Sequence, residues 1–275
     1  MKPNFLAIGA QKSATSTLCD LLARHPDVFV TDPKEPYFFS HDEVWAKGMA
    51  WYESLFDGAR GERAVGEGST TYTMRFLYPN AAERIAEHLP EAKLLYIVRN
   101  PLERTASHWV HMRSRGGRET RPFGVAVREA PEYLDNSMYL RQIDVYRRWW
   151  PDERICVVFF EDFVRDRAAV MRRCFGFLGV DPGVDVAFDA HAKNVSAGSR
   201  EDTPLLSPLR KLPVFDRLRD AAPKGLRESL RRVLKRPTQR PTWDDASRAY
   251  AIERLREDSH AFLERYGKPR DFWGY

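Results

Sequence analysis

The chain has 275 residues, 43% of them apolar and 30% charged, with a formal net charge of +5. That length carries one domain with a sizeable core, and the composition excludes a disordered, fibrous or disulfide-built chain. No apolar run approaches the ~20 residues of a membrane-spanning helix, and the opening MKPNFLAIGAQK turns polar too soon for a secretion signal. Three cysteines, Cys19, Cys156 and Cys174, show no close pairing and no metal-ligand spacing. They read as buried thiols in a reducing, cytoplasmic compartment, with no metal expected.

In chain order, residues 5–9 (FLAIG) form an apolar run suited to a strand buried on both faces. Residues 15–24 follow with helical spacing, Leu18, Leu21 and Leu22 on one face. Residues 28–30 make a second short strand, and Pro33 and Pro36 then break regular structure. Ala64 and Val65 lead into GEGSTTYT, read as turn-rich. Residues 81–88 are helical, 93–98 (KLLYIV) form a buried strand, and Pro101 opens the next helix, a favoured place for proline. Residues 155–160 (ICVVFF) form another buried strand, then a helix spans 168–178 and a last one about 247–266. Strands alternating with helices indicate an α/β fold with a central, mainly parallel sheet flanked by helices. The whole is one domain with a basic helical insertion or lid at about 204–241. Between Pro208 and Arg240 eleven basic side chains face three acidic ones, a surplus of +8 against +5 for the whole chain. This stretch is either a surface that attracts an acidic acceptor or a membrane, or a solvated helix packing its leucine stripe.

The loop after the first strand, Gly9-Ala10-Gln11-Lys12-Ser13-Ala14-Thr15-Ser16-Thr17, combines one lysine with four hydroxyls. A buried strand, a small-residue loop and a helix start together make an anion site, because free helix N–H groups and the helix dipole both favour negative charge. A nucleotide triphosphatase would carry Gly immediately before the lysine. Gln11 stands there, which argues against an ATP-dependent kinase.

Residues 5–28 resemble the opening of sulfotransferases that use 3′-phosphoadenosine 5′-phosphosulfate (PAPS), above all the carbohydrate branch of heparan sulfate enzymes and their bacterial relatives. Four further segments resemble that family in order: KEPYFFS (34–40), KGMAWYESLF (47–56), LLYIVRNPLERTASHWVH (94–111) and SMYLRQIDVYRRWWPDERICVVFFEDFVRD (137–166). The resemblance implies a P-loop-like three-layer sandwich, PAPS as sulfuryl donor and PAP as product. It also implies a sugar, glycolipid or glycosylated natural product as acceptor through a hydroxyl, less readily an amine. It puts Lys12, Ser13, Ala14, Thr15, Ser16 and Thr17 on the 5′-phosphosulfate and Arg99 with Ser107 on the 3′-phosphate. It makes Glu35 the base and Lys12 the cation that follows charge to the bridging oxygen. The alternative for Glu35 is a loop carboxylate paired with Lys34 or an Arg. His41, His108 and His111 are rival bases. Glu67, Tyr72, Trp51 and Tyr139 are candidates for acceptor contacts. The heparan-type pattern carries a lysine after the glutamate at position 67, whereas this chain has Gly68, which leaves a second catalytic lysine without a place. Lys193, Ser199 and Arg200, in residues 191–200, are loose candidates for a loop closing over the 3′-phosphate. The remaining alternative is a non-catalytic anion or nucleic-acid binder, which would bind in a salt-sensitive way.

Overall fold

In the computed structural model, Phe5–Gly9 (β1) is buried along its whole length, and the fold is arranged to keep it so. The structure describes residues 1–114, 118–186, 200–202, 235–237 and 239–275. In chain order, β1 is followed by Thr15–Leu22 (α1), Val28–Val30 (β2), Asp42–Trp45 (α2), Gly48–Ser54 (α3), Ala64–Glu67 (β3) and a 3-10 turn at Thr70–Thr73. Then come Ala81–His88 (α4), Lys93–Val98 (β4), Pro101–Ser114 (α5), Phe123–Glu129 (α6), Glu132–Asp135 (α7) and Tyr139–Tyr146 (α8). Ile155–Phe159 (β5), Phe160–Arg165 (α9) and Arg167–Leu178 (α10) follow, then Arg200–Asp202 (β6), Lys235–Pro237 (β7) and Asp245–Arg265 (α11).

The main sheet has the order β2-β3-β1-β4-β5, and every pairing in it is parallel. The apolar strands carry a two-residue alternation that separates two cores. Leu6 and Ile8, Leu94, Tyr96 and Val98, and Ile155, Val157 and Phe159 enter one face, with Phe38, Phe39, Tyr52, Tyr139, Ile143 and Phe262. Phe5 and Ala7, Leu95 and Ile97, and Cys156 and Val158 enter the other, with Leu18 and Leu22 of α1 and Met171 and Phe175 of α10. Helices therefore cover both faces, as the sequence predicts for a three-layer α/β sandwich. A third cluster joins α5, α6, α7 and α11 through Leu102, Trp109, Phe123, Tyr133 and Leu255. A fully buried large apolar side chain contributes roughly 1.5–3 kcal/mol, an exposed ion pair ~0–1 kcal/mol. The strands, not the charged helix surfaces, hold the fold.

The differences from the sequence reading have local causes. Gly66 and Glu67 belong to β3, although glycine and glutamate are poor strand formers. Gly66 is there because a Cβ would collide with Phe5 O and stand 2.7 Å from the Phe5 ring. Phe160 starts α9 rather than ending β5. Cys156 and Cys174, distant in sequence, place their thiols in contact between β5 and α10 and remain unpaired. Lys193, Ser199 and most of the basic stretch lie outside the described residues, and of Arg200 the structure describes the backbone, in a strand pair of β6 with β7.

Gly66→Ala is expected to push β1 and β3 apart at a cost of about 1–3 kcal/mol. The check is a drop in the denaturant midpoint with the m-value unchanged.

Candidate active site

Because β1 and β4 are neighbours, the loops leaving their carboxyl ends are neighbours too. Chain connections diverge here, with β2 and β3 on one side of β1 and β4 and β5 on the other, the place where open α/β sheets bind ligands.

The loop after β1 folds tightly against β4: Ala10 N donates to Ile97 O at 2.7 Å, and Ser13 N to Ala10 O at 3.2 Å. Gly9 has no room for a side chain, since a Cβ would strike Thr73 Oγ1. Lys12 and Ala14 both sit at φ 70°, a left-handed conformation that costs a non-glycine residue of order 1–3 kcal/mol and gathers at functional sites. The N-terminus of α1 has no side-chain cap and no acidic residue in its first turn, an arrangement that suits an anion at its leading N–H groups. Ser13 is fully buried. Its Oγ lies beside the Tyr139 phenol without a hydrogen bond of good geometry.

The loop after β4 is built by Asn100 and Pro101. Asn100 Oδ1 accepts from Leu102 N at 3.0 Å and Glu103 N at 3.3 Å, an N-cap that starts α5 with proline at its first position. Arg99 is thereby held at the strand end. Tyr139 OH donates to Arg99 O at 2.7 Å, the guanidinium lies 4.8 Å over the Phe160 ring, and Nη2 donates to Glu103 Oε2 at 3.2 Å. Glu103 also pairs with Arg240. Burial, and then Arg240 nearby, hold Arg99 below the ordinary guanidinium value. Ser107 follows Glu103 by one turn on the same face of α5. Sequence reasoning missed Arg104. It is fully buried and donates to Ser137 Oγ at 2.5 Å and Tyr133 O at 2.6 Å, locking α5 in place. Burial holds His108 neutral, well below the usual histidine range, with Arg104, His111 and Lys12 adding to the effect.

A third loop, between β2 and α2, carries the candidate base. Gly68 N donates to Lys34 O at 2.9 Å and Tyr37 N to Ser69 Oγ at 3.0 Å, so this loop is tied to the end of β3. Tyr37 takes a left-handed φ of 59°, which aims its hydroxyl at Glu35 Oε2, 2.6 Å away. Thr70 Oγ1 stands 3.4 Å from the same oxygen, and Lys34 Nζ lies 2.7 Å from Oε1. The sequence left open whether Glu35 pairs with Lys34, and it does. The Glu35 side chain remains 23% exposed.

Glu67 differs in every respect. It is fully buried, Tyr72 OH donates to Oε1 at 2.5 Å, and Tyr52 OH stands 3.4 Å from the same atom. Burial raises its pKa to about 7, against the pull of Tyr72, Ser69 and Lys34. Tyr72 and Tyr139 are buried too, and their hydroxyls serve Glu67 and Arg99, so both bear on the site through the residues they hold. Trp51 packs at the edge of the core under Lys47, whose Nζ is 4.2 Å from its ring. His41 stacks on Tyr78 at 4.6 Å and bonds Ser40 Oγ at 2.9 Å.

Residues 70–183 match the model of the sulfotransferase family. The chain is related to the sulfotransferases, as its five motifs indicate. It is 29% identical over 185 residues to human heparan sulfate glucosamine 3-O-sulfotransferase 6, covering 65% of this chain and 52% of that one. It is 33% identical over 110 residues to the membrane-associated sulfotransferase kil1 of Dictyostelium discoideum, covering 39% and 22%. The chain spans about half the length of the heparan sulfate relatives it matches. A sulfotransferase crystal structure from Alicyclobacillus acidocaldarius superposes with a TM-score of 0.71 at 24% identity over the whole of both chains, which shows that the fold is shared.

The raised pKa of Glu67 carries a stability consequence. An acid at 4.5 when unfolded and about 7 when folded stabilises the fold fully below pH ~4.5, and that contribution is lost as pH rises through ~7. Glu67→Gln is expected to flatten this fall, gaining a few kcal/mol at about pH 8 relative to about pH 5. Urea unfolding of both proteins at the two pH values checks it.

Proposed function

We propose that this chain transfers a sulfuryl group from PAPS to a hydroxyl of a sugar, glycolipid or glycosylated natural product and releases PAP. The observation that carries the reading is the pair of anion-binding loops on adjacent strands, Lys12 to Thr17 after β1 and Arg99 with Ser107 after β4. In this reading a nucleotide phosphorylated at both ends spans the two loops. The uncapped α1 N-terminus and the buried Ser13 hydroxyl suit the 5′ end. An arginine fork with a hydroxyl suits the 3′-phosphate. The heparan sulfate relatives support a saccharide acceptor, and Gly68 separates this chain from the heparan-type pattern. We further propose that the protein is cytoplasmic.

Glu35 is the base in this reading. Of the two carboxylates it alone reaches solvent, and a base must touch the proton it takes. Lys12 and the α1 amides meet the charge that grows on the leaving phosphate. Tyr37 and Thr70 orient the Glu35 carboxylate; Glu67 braces the wall beneath it through Tyr52 and Tyr72.

Thermal shift tests the ligand. PAP is expected to stabilise the protein and ATP with magnesium to have little effect; the reverse result, or stabilisation by an oligonucleotide alone, overturns the reading. Glu35→Gln is expected to keep PAP binding and lose about 100-fold or more in turnover; unchanged turnover would move the base elsewhere. Arg99→Ala is expected to weaken PAP far more than adenosine 5′-phosphosulfate, which lacks the 3′-phosphate, and calorimetry with both ligands reads the difference.

A further inference from the structure

The residue after Glu67 is a glycine, and the space beside it is taken. A Cβ on Gly68 would stand 2.6 Å from Cys19 Sγ and 3.5 Å from Lys34 Cε. The Lys34 side chain therefore runs past position 68, between the end of β3 and α1, where Cys19 lies. Its ammonium nitrogen is buried and makes no hydrogen bond of good geometry among the described residues. Its one close charge partner there is Glu35 Oε1, at 2.7 Å. Lys34 also pulls Glu67 and Cys19 toward their charged forms. A buried ammonium has to be paired to offset its desolvation cost, and Glu35 is that pair. An anchor for a surface loop would gain as much from an exposed pair.

We propose that Lys34 is a positioning residue for sulfuryl transfer: it holds the Glu35 carboxylate toward the acceptor and releases its charge to the transferring group as Glu35 is protonated. The inference rests on the sulfotransferase reading above. The acceptor O–H proton goes to Glu35, the acceptor oxygen bonds sulfur, and the electron pair of the broken S–O bond stays on the phosphate of PAP. Once Glu35 is neutral, Lys34 has lost the anion 2.7 Å away. Its charge then offsets the negative charge on the sulfuryl oxygens, at the stage when that charge stabilises the transition state more than the ground state. The small residue at position 68 leaves the room for this side chain, so the cation reaches the site from the β2–α2 loop instead of from β3.

The test uses the whole chain with radiolabelled PAPS and water as the probe acceptor, reading sulfate release, alongside PAP binding by calorimetry. Lys34→Met and Lys34→Ala are expected to lower kcat about 10- to 100-fold with PAP affinity within about threefold. Ethylammonium in the medium is expected to restore part of the rate to Lys34→Ala and none to Lys34→Met, whose side chain fills the space, and Lys34→Arg to retain more than either. Unchanged kcat, a loss confined to PAP affinity, or no recovery with the amine overturns the proposal. A wild-type protein that neither binds PAP nor releases sulfate overturns the sulfotransferase reading instead.

Discussion

Everything at this site follows from the parallel pairing of β1 with β4 in a sheet covered on both faces. Parallel strands send their following loops to the same edge, so the loop of Lys12 and the loop of Arg99 have to meet. Neither strand can slide, because a one-residue slip would move Leu6 and Ile8, or Leu94 and Tyr96, into the opposite core. The separation between the Lys12 loop and the Arg99 loop is therefore a property of the sheet. It does not depend on the charged residues themselves.

The polar groups at that edge are held by buried partners at the ends of strands and helices. Tyr139 fixes the Arg99 backbone, Arg104 fixes α5, and Tyr52 and Tyr72 hold Glu67 beneath the candidate base. Each supporting group lies in the core, where a hydrogen bond is strong and an unpaired polar atom is costly. Two carboxylates at the end of one loop and one strand end in different environments: Glu35 is ion-paired and reached by water, Glu67 enclosed and pushed toward neutrality. The fold thus separates a group able to exchange a proton with an acceptor from one that braces the wall.

Strained backbone marks the same region. Lys12, Ala14 and Tyr37 all occupy the left-handed region without being glycine. At Tyr37 the strained backbone delivers a hydroxyl to Glu35. Such conformations persist only where surrounding packing over-determines them, as the buried neighbours Ala10, Ser13, Phe38 and Phe39 do here.

The sequence by itself determined the strand–helix alternation, the parallel sheet and the places of the two candidate phosphate loops, because continuous apolar runs, an Asn-Pro helix start and a lysine among hydroxyls are local signals. It also left Gly68 as an unexplained gap. The tertiary structure decided what no local pattern carries: that Gly66 and Glu67 complete a strand because β1 passes too close for a side chain, that Tyr72 and Tyr139 point inward, that Cys156 and Cys174 touch, and that Lys34 crosses to the space beside Gly68. Burial and long-range contact set the charge and direction of a side chain, and both depend on which strands lie next to each other. Residue type alone says which groups have the chemistry; the sheet order says which of them share a site.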